Sequence, residues 1–349
     1  MARLGPQRTR IVNHAGSVLA LDAATYEPHA LHRGDVAWLE TNCYVDVWIE
    51  ILHALGLEPL AGLGFTVRTD LEADQWTFYR FGHSDLEMLY GIEVVELNPW
   101  TSVLEQVCRE VGAGRIPLVE VDSWFLPDTL STAYKQHHVK TTIGVETIDP
   151  ARRVLGYFHN SGYCQVEGDD FDGIFRGHSL DDDHLVPYIE VAKLDRRCSP
   201  GALADADAAR RSFSRHVAWM PRFNPFAAYR DRFQHDVEVM RSLGPEAGGE
   251  RFHLYAFAYF RQFGSAFSLA AAHLRWLATN GGVARVSDSD VEVVAVAYDS
   301  ISTAAKTLQL RTARAAMTGK VFDGSGSIHS MAEAWQCGFE LLQPTRSER

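Results

Sequence analysis

Three runs of alternating polar and apolar residues between positions 138 and 167 constrain the fold more than any other part of the sequence. The first run, V-K-T-T-I-G-V-E-T-I, follows His138 and ends at a turn, D-P-A-R, at residues 149–152. The second run is R-V-L-G-Y-F-H, and the turn N-S-G separates it from the third, Y-C-Q-V-E. Period-two alternation between turn residues is typical of half-buried strands joined by tight turns. The sequence therefore predicts an antiparallel meander.

The meander has polar residues at two neighbouring strand ends. His137 and His138 stand at the start of the first strand, and His159 and Asn160 stand at the end of the second. In an antiparallel hairpin these two ends lie side by side. Because successive side chains point to opposite faces, only one of His159 and Asn160 can meet the histidine at the start of the first strand. We expect the pair His138 and Asn160, with His137 and His159 as the alternatives.

A cysteine stands at the predicted start of a largely apolar helix. The stretch T-N-C-Y-V-D-V-W-I-E-I-L-H-A-L-G contains Asn42, a favoured N-cap, and ends with Gly56, a favoured C-terminal stop. Cys43 is then at the first helical position. There the helix dipole and the unpaired backbone N–H groups favour a thiolate and suit the binding of an oxyanion. The alternative is a structural cysteine, since free cysteine is among the most buried residue types.

The remaining patterns indicate a mixed first part and a helical second part. Short strands are expected at 63–68, 75–80, 93–97 and 116–122, and a helix is expected from Asn98 and Pro99 to Gly112. Beyond about residue 199 the pattern turns helical, with capping boxes expected at Ser289 and Ser330. The fold class is therefore α+β. We expect a mixed domain at residues 1–198 and a helical domain at residues 199–349.

Composition excludes several classes of protein. A net charge of −12 argues against a nucleic-acid binder, which normally has a basic face. No run of eighteen apolar residues and no secretory signal is present, so we expect no membrane span and a cytoplasmic location. Five cysteines without a C-x-x-C pair suggest neither a disulfide framework nor a zinc site. The acidic run at 181–184 is interpreted as a solvated loop, and we expect no bound metal.

Cys43, His138 and Asn160 together have the residue types of a cysteine nucleophile, a general base and a group that orients the base. Cys, His and Asn in this chain order are typical of papain-like enzymes. The Cys43 N–H and the Asn42 side chain are candidates for the oxyanion hole, although an N-cap asparagine can be fully engaged with its helix. Asp122, which precedes S-W-F-L-P, is a candidate for the mouth of a pocket or for a turn and cap residue.

Several segments also carry a resemblance to a known family. The segments are N-C-Y-V-D-V-W-I-E-I-L-H-A-L-G-L-E-P, D-Q-W-T-F-Y-R, L-Y-G-I-E-V-V-E-L-N, L-V-E-V-D-S-W-F-L-P-D-T, H-H-V-K-T-T-I and L-G-Y-F-H-N-S-G-Y. They resemble DUF1839, a bacterial family of unknown function. More distantly, the N-terminal half is similar to the papain-like N-terminal domain of the butirosin-biosynthesis acyltransferase BtrH. That enzyme moves an aminoacyl group from the phosphopantetheine thioester of a carrier protein to an amine.

The resemblance implies that Cys43 is the nucleophile of a papain-like domain formed by a helix and an antiparallel sheet. It implies a cysteine-dependent acyltransferase whose substrate is the phosphopantetheine arm of an acyl or aminoacyl carrier protein, with a small-molecule or protein amine as acceptor and no tightly bound cofactor. Lys140 is then a candidate for a phosphate of that arm, or simply an exposed strand lysine. The alternatives are a peptidase, amidase or thioesterase on the same triad, and a non-catalytic scaffold that binds carrier proteins. An acidic partner needs a basic patch, and Arg210, Arg211 and Arg215 form the only obvious cluster.

Overall fold

The computed structural model describes residues 15–34, 36–175, 188–194 and 197–343. The acidic run at 181–184 lies outside these residues. The strands are β1 (Gly16–Ser17), β2 (Leu71–Glu72), β3 (Gln75–Trp76), β4 (Glu93–Leu97), β5 (Ile116–Asp122), β6 (Lys140–Asp149), β7 (Val154–His159), β8 (Gly162–Glu167) and β9 (Ile189–Lys193). The α-helices are α1 (Cys43–Ala54), α2 (His83–Tyr90), α3 (Val103–Gly112), α4 (Asp169–Phe175), α5 (Ala206–Val217), α6 (Pro225–Ser242), α7 (Pro245–Tyr255), α8 (Gln262–Thr279), α9 (Asp288–Thr318) and α10 (Ser325–Leu342).

These elements divide into two compact units, each built from two separate stretches of chain. Met1–Pro28 and Gly91–Ser199 form the sheet unit, and His29–Tyr90 and Pro200–Arg349 form the helical unit. The chain passes from one unit to the other three times, and the division expected from the sequence, at residue 198, lies next to the third passage. That division keeps the Cys43 helix with the sheet, whereas in the structure α1 is part of the helical unit.

The sheet unit contains an antiparallel sheet with the strand order β4-β9-β5-β6-β7-β8. The predicted meander is present as β6, β7 and β8, with Tyr157 opposite Val145 on one side and Cys164 on the other. β5 pairs with the first half of β6, so that Asp122 is opposite Lys140, and β1 pairs with the second half. Apolar residues of α3 and of these strands form one buried cluster. This pairing places the end of β5 beside the start of β6.

A β-bulge in β6 directs a carboxylate into the sheet unit. The register shifts between Val145 and Thr147, and Glu146 between them is fully buried. One carboxylate oxygen accepts hydrogen bonds from the Ser17 hydroxyl at 2.7 Å and from the Ala20 N–H at 3.0 Å, and the other accepts from the Tyr163 hydroxyl at 2.8 Å. Burial raises the pKa of Glu146, but these hydrogen bonds outweigh it and the pKa lies below its ordinary value. Glu146 therefore holds the N-terminal segment against the sheet as a carboxylate.

The helical unit is built around one large aromatic and aliphatic core. Trp38 and Trp76 from the first stretch belong to the same buried cluster as Phe226 and Phe263 from the second. The Trp76 and Phe263 rings lie 4.7 Å apart. Between α7 and α8 the chain forms a π-helix, Ala256–Arg261. Residues 29–90 thus share a core with the C-terminal helices, because their apolar side chains are buried there.

Several local predictions were wrong. Residues 63–68 lie in a 3₁₀ helix, Pro59–Arg68, which starts with a proline and is capped by the Glu58 side chain. Gly62 in this segment packs so closely on Phe81 and Tyr90 that a Cβ atom there would overlap both rings, and helical compaction permits this approach. The capping boxes at Ser289 and Ser330 are also absent, since the N-cap of α9 is Ser287 and α10 begins at Ser325.

The fold class is α+β, with an antiparallel sheet in the N-terminal region and an all-helical C-terminal part, as the sequence indicates. Within the described residues, no helix has both the length and the apolar character that a bilayer crossing requires.

Candidate active site

Cys43 is the first residue of α1, as predicted, and its side chain is half-buried. The N-cap is Asn42, whose Oδ1 accepts from the Val45 N–H at 2.9 Å while its Nδ2 donates to the Tyr79 carbonyl at 3.0 Å. Asn42 is fully buried, and both ends of its amide are used in these bonds. Its side chain therefore caps α1 and bonds to the segment that contains Tyr79, and it is not an oxyanion donor. The Cys43 N–H lies in the first turn, where a helix offers no internal acceptor.

The residues before Cys43 are fixed from several directions within the helical unit. Thr41 donates its N–H to Asp46 Oδ2 at 2.8 Å and its hydroxyl to Asp46 Oδ1 at 2.5 Å. The Arg261 Nε donates to the Thr41 carbonyl at 2.6 Å, and Arg261 also pairs with Glu40. Every polar group of Thr41 thus has a partner, which limits the conformational freedom of the segment that presents Cys43.

A buried histidine links two turns of α1. His32 Nε2 lies 3.2 Å from Asp46 Oδ1, and His32 Nδ1 bonds to Glu50. The three side chains are completely buried. Burial opposes the charged imidazole, but the hydrogen bonds to Asp46 and Glu50 prevail and raise the pKa of His32 to about 9. At neutral pH His32 is therefore an imidazolium that donates to both carboxylates.

His138 forms an ordered pair with a carboxylate in the sheet unit. Its Nδ1 lies 2.6 Å from Asp122 Oδ2, across the β5 and β6 strands. The His138 ring stacks on Trp124 with the ring centroids 4.4 Å apart and an interplanar angle of 7°. The same Asp122 caps the next turn by accepting from the Trp124 N–H at 3.0 Å. Asp122 and Trp124 thus hold the His138 ring, although 69% of the side chain is exposed. Its Nε2 faces away from the carboxylate.

Asn160 occupies a different place from the one expected. It lies in the turn between β7 and β8 with a positive φ of 45°, and His159 pairs with Gly162 across that turn. Within the part of the chain that the structure describes, no hydrogen bond joins Asn160 to His138. The strand register explains this, because β6 pairs with the end of β7 near Gly144, several residues beyond its start. Asp122 is the group that orients His138.

His137 and Lys140 are both on the surface of the protein. His137 is exposed and has no carboxylate partner among the described residues. Lys140 is mostly exposed and pairs with Glu120 on the neighbouring strand, the setting of an exposed strand lysine.

His159 is buried and is part of a second histidine pair in the sheet unit. Its Nδ1 lies 2.5 Å from Asp128 Oδ2, and its Nε2 lies 2.8 Å from the Thr141 hydroxyl. The Tyr157 hydroxyl donates to the other Asp128 oxygen at 2.6 Å. Burial raises the pKa of Asp128, but the bond from His159 outweighs it and lowers the pKa. The His159 side chain is almost fully buried and that of Asp128 is 18% exposed, and the network joins the turn at Asp128 to strands β6 and β7.

Family models match both parts of the chain. The model of the DUF1839 N-terminal domain matches residues 27–194, and that of the DUF1839 C-terminal domain matches residues 202–344. The chain belongs to the DUF1839 family. No curated protein shows a significant match to it. The boundary between the two DUF1839 models lies in the same stretch of sequence as the division that the sequence predicts near residue 198.

Sequence reasoning did not identify two of the groups that position this DUF1839 chain's candidate residues. The sequence indicates Asp122 only as a pocket-mouth, turn or cap residue. The signal for its contact with a neighbouring strand is the run V-E-V-D-S-W, which ends a strand with a carboxylate. Arg261 lies 220 residues from Thr41 and has no sequence signal of this contact. Within the described ranges, no group of three or more His, Cys, Asp or Glu side chains is arranged to hold a metal ion.

Proposed function

We propose that this DUF1839 protein is a cysteine-dependent acyltransferase in which Cys43 is the nucleophile and His138, held by Asp122, is the general base and acid. The donor is an aminoacyl thioester on the phosphopantetheine arm of a carrier protein, and the acceptor is an amine. The observation that carries the proposal is the His138 and Asp122 pair. An exposed imidazole with one nitrogen bonded to a carboxylate has its other nitrogen available for proton transfer.

The setting of Cys43 supports the role of nucleophile. A thiol at the first turn of a helix lies at the positive end of the helix dipole, which favours a thiolate. Its backbone N–H is a donor for the oxyanion that forms when a thioester carbonyl is attacked. The bonds to Thr41 and Asn42 hold this turn in one conformation, as a preorganised site requires.

The proposed reaction conserves atoms and protons at each step. His138 Nε2 takes the Cys43 proton, the thiolate sulfur bonds to the thioester carbonyl carbon, and the carbon–sulfur bond to the carrier arm breaks. The leaving pantetheine thiolate takes the proton from the His138 imidazolium. The amine then attacks the acyl-cysteine, His138 takes the amine proton, and it returns that proton to the Cys43 sulfur. Asp122 holds the His138 ring throughout and stabilises the imidazolium.

Intact mass spectrometry tests the nucleophile. The protein is mixed with an aminoacyl pantetheine thioester, and then with an aminoacylated carrier protein, without an acceptor. We expect the mass of one acyl group on the wild type and none on Cys43→Ala. Cys337→Ala is the matched control, because Cys337 is also half-buried on a helix of the helical unit. Absence of an acyl-enzyme on the wild type with both donors would refute the proposal and favour the scaffold.

Alkylation by iodoacetamide tests the base. The rate of Cys43 alkylation is measured from pH 5 to 10 in the wild type, His138→Ala and His137→Ala. We expect His138→Ala to lose alkylation at the acid end of the profile, and His137→Ala to behave as the wild type, since His137 is exposed and has no carboxylate partner among the described residues. Identical profiles for all three proteins would remove His138 from the mechanism.

Adding acceptors to the acyl-enzyme distinguishes the transferase from the hydrolases. Release of an amide with a small amine, at a rate well above that of hydrolysis, supports acyl transfer. Release of the free acid at the same rate with and without an amine would instead indicate a thioesterase, and cleavage of peptide substrates would indicate a peptidase.

A further inference from the structure

The geometry points to Arg261 as a positioning residue for Cys43, by which the C-terminal helices act on the nucleophile. This inference rests on the proposed function, because it concerns the same nucleophile. Arg261 is the last residue of the π-helix between α7 and α8. It does not contact Cys43 in any hydrogen bond, and it acts through Thr41, two residues before it.

Arg261 belongs to a closed circuit of hydrogen bonds, here called the Thr41 circuit, within the helical unit. The Arg261 Nε donates to the Thr41 carbonyl at 2.6 Å, and the Ser265 hydroxyl donates to the Arg261 carbonyl at 2.5 Å. The Tyr79 hydroxyl and the Ser265 hydroxyl are 2.5 Å apart. Asn42 Nδ2 then donates to the Tyr79 carbonyl at 3.0 Å and is joined to Thr41 by the peptide bond. Asn42, the residue immediately before Cys43, is a member of this circuit.

Arg261 is placed at the end of a π turn. A single π turn widens a helix and changes the direction of the side chains around it, and such turns are frequent at functional sites. Here it leaves Arg261 with three interactions: Nε on Thr41, Nη2 on Glu40 at 3.1 Å, and the guanidinium 5.2 Å above the Phe257 ring. The planar fork of arginine makes the first two contacts at once. A lysine has one nitrogen on a flexible stem and lacks that geometry.

The alternative interpretation is an arginine that only stabilises the fold. Two properties separate the alternatives. A positioning residue changes the rate at which Cys43 reacts in a protein that remains folded, whereas a structural residue lowers stability and leaves the rate of the folded fraction unchanged. The positive charge is tested separately, because Arg261→Lys keeps the charge and loses the fork, and Arg261→Gln loses both.

The experiment measures single-turnover acylation of Cys43 by an aminoacyl pantetheine thioester in the wild type, Arg261→Lys, Arg261→Gln and Arg275→Lys. Arg275 is the matched control, since it lies on α8 and pairs with Glu292 and Asp299. We expect Arg261→Lys to lower the saturating rate constant by about 10- to 100-fold, the cost of a misplaced reacting group, with the half-saturating concentration unchanged. Arg261→Gln is expected to be at least as slow.

Thermal unfolding is measured on the same samples to confirm that each variant is folded. Arg261→Lys that is folded and acylates at the wild-type rate would overturn the inference, as would a loss equal to that of Arg275→Lys. If the wild type is not acylated at all, the proposed function fails by itself. The rate of Cys43 alkylation by iodoacetamide then gives the same comparison without an acyl donor, and equal rates in all variants would overturn the positioning role.

Discussion

Replacement of His32 by alanine tests the buried charge network of α1. His32 is an imidazolium between Asp46 and Glu50, with all three side chains excluded from solvent. Its removal leaves two buried carboxylates facing a cavity with no cation. Breaking a buried ion pair by removing one partner costs about 3–5 kcal/mol. We expect His32→Ala to lower the free energy of unfolding of the helical unit by that amount at pH 7.

The wild type should also lose stability as the pH rises. The pKa of His32 is about 9 in the folded protein and 6.5 in an unfolded chain. Because the folded value is the higher one, the stabilisation is fully present below about pH 6.5 and is lost as the pH rises towards 9. The difference corresponds to about 3 kcal/mol. His32→Ala should lack this slope.

Urea unfolding followed by tryptophan fluorescence at pH 6, 7, 8 and 9 measures both effects. His273→Leu is the matched control. His273 is a buried histidine of the same unit, and burial lowers its pKa to about 4 against the opposing hydrogen bond to the Leu60 carbonyl. The linkage of His273 to stability lies between its folded pKa of about 4 and its unfolded pKa of 6.5, so His273→Leu should keep the wild-type slope between pH 7 and 9. A wild-type stability that is constant between pH 6.5 and 9 would refute the assignment of a charged His32.

Three further predictions concern the sheet unit. Asp122→Asn should slow acylation of Cys43 by about 10- to 100-fold in the single-turnover assay, less than in a buried triad, because the pair with His138 is solvated. Asn160→Gly should keep the acylation rate and change the unfolding free energy by less than about 0.5 kcal/mol, since glycine accepts the positive φ of this turn. Glu146→Gln should destabilise the segment 15–20 by about 1–3 kcal/mol, measured by amide hydrogen exchange of that segment.

Asp122→Asn has a control variant, and the other two predictions each have an outcome that would contradict them. Glu120→Gln removes a half-buried strand carboxylate near Asp122, and this variant should acylate as the wild type does. An Asn160→Gly protein that cannot be acylated would return Asn160 to the mechanism and oppose the assignment of Asp122. Unchanged exchange in Glu146→Gln would mean that the N-terminal segment is held by β1 pairing alone.

Local signals in the sequence were sufficient to predict the meander and the start of α1. The meander is present because alternation and turn residues fix β6, β7 and β8 without help from distant residues. The start of α1 is fixed in the same way by the Asn42 cap. The strand prediction for residues 63–68 is wrong because it follows their aromatic and β-branched residues, whereas the segment is a buried 3₁₀ helix that starts with Pro59 and packs Gly62 against Tyr90.

The partners of the candidate residues depend on pairing between distant segments. Neighbouring strand ends in the meander suggested Asn160 as the partner of His138, because the meander was the only pairing that the sequence determined. The pairing of β5 with β6 brings Asp122 to that position, and β5 is 18 residues or more from β6 along the chain at their paired ends. The contact between Arg261 and Thr41 spans 220 residues. No local pattern reports such a contact.

The chain leaves the helical unit after Tyr90 and returns to it at Pro200. Residues 91–199 are therefore an insertion in the sequence of the helical unit. Its two ends lie close together, since a Cβ atom on Gly91 would be 2.6 Å from the backbone of Arg197. Insertions whose ends meet can be exchanged for a short linker without separating the parts of the host. A chain cut at residue 198 would carry α1 without its core, whereas one in which a short linker replaces residues 91–199 would keep both stretches of the helical unit. The matched family segments and the folding units of this protein are therefore different divisions of the same chain.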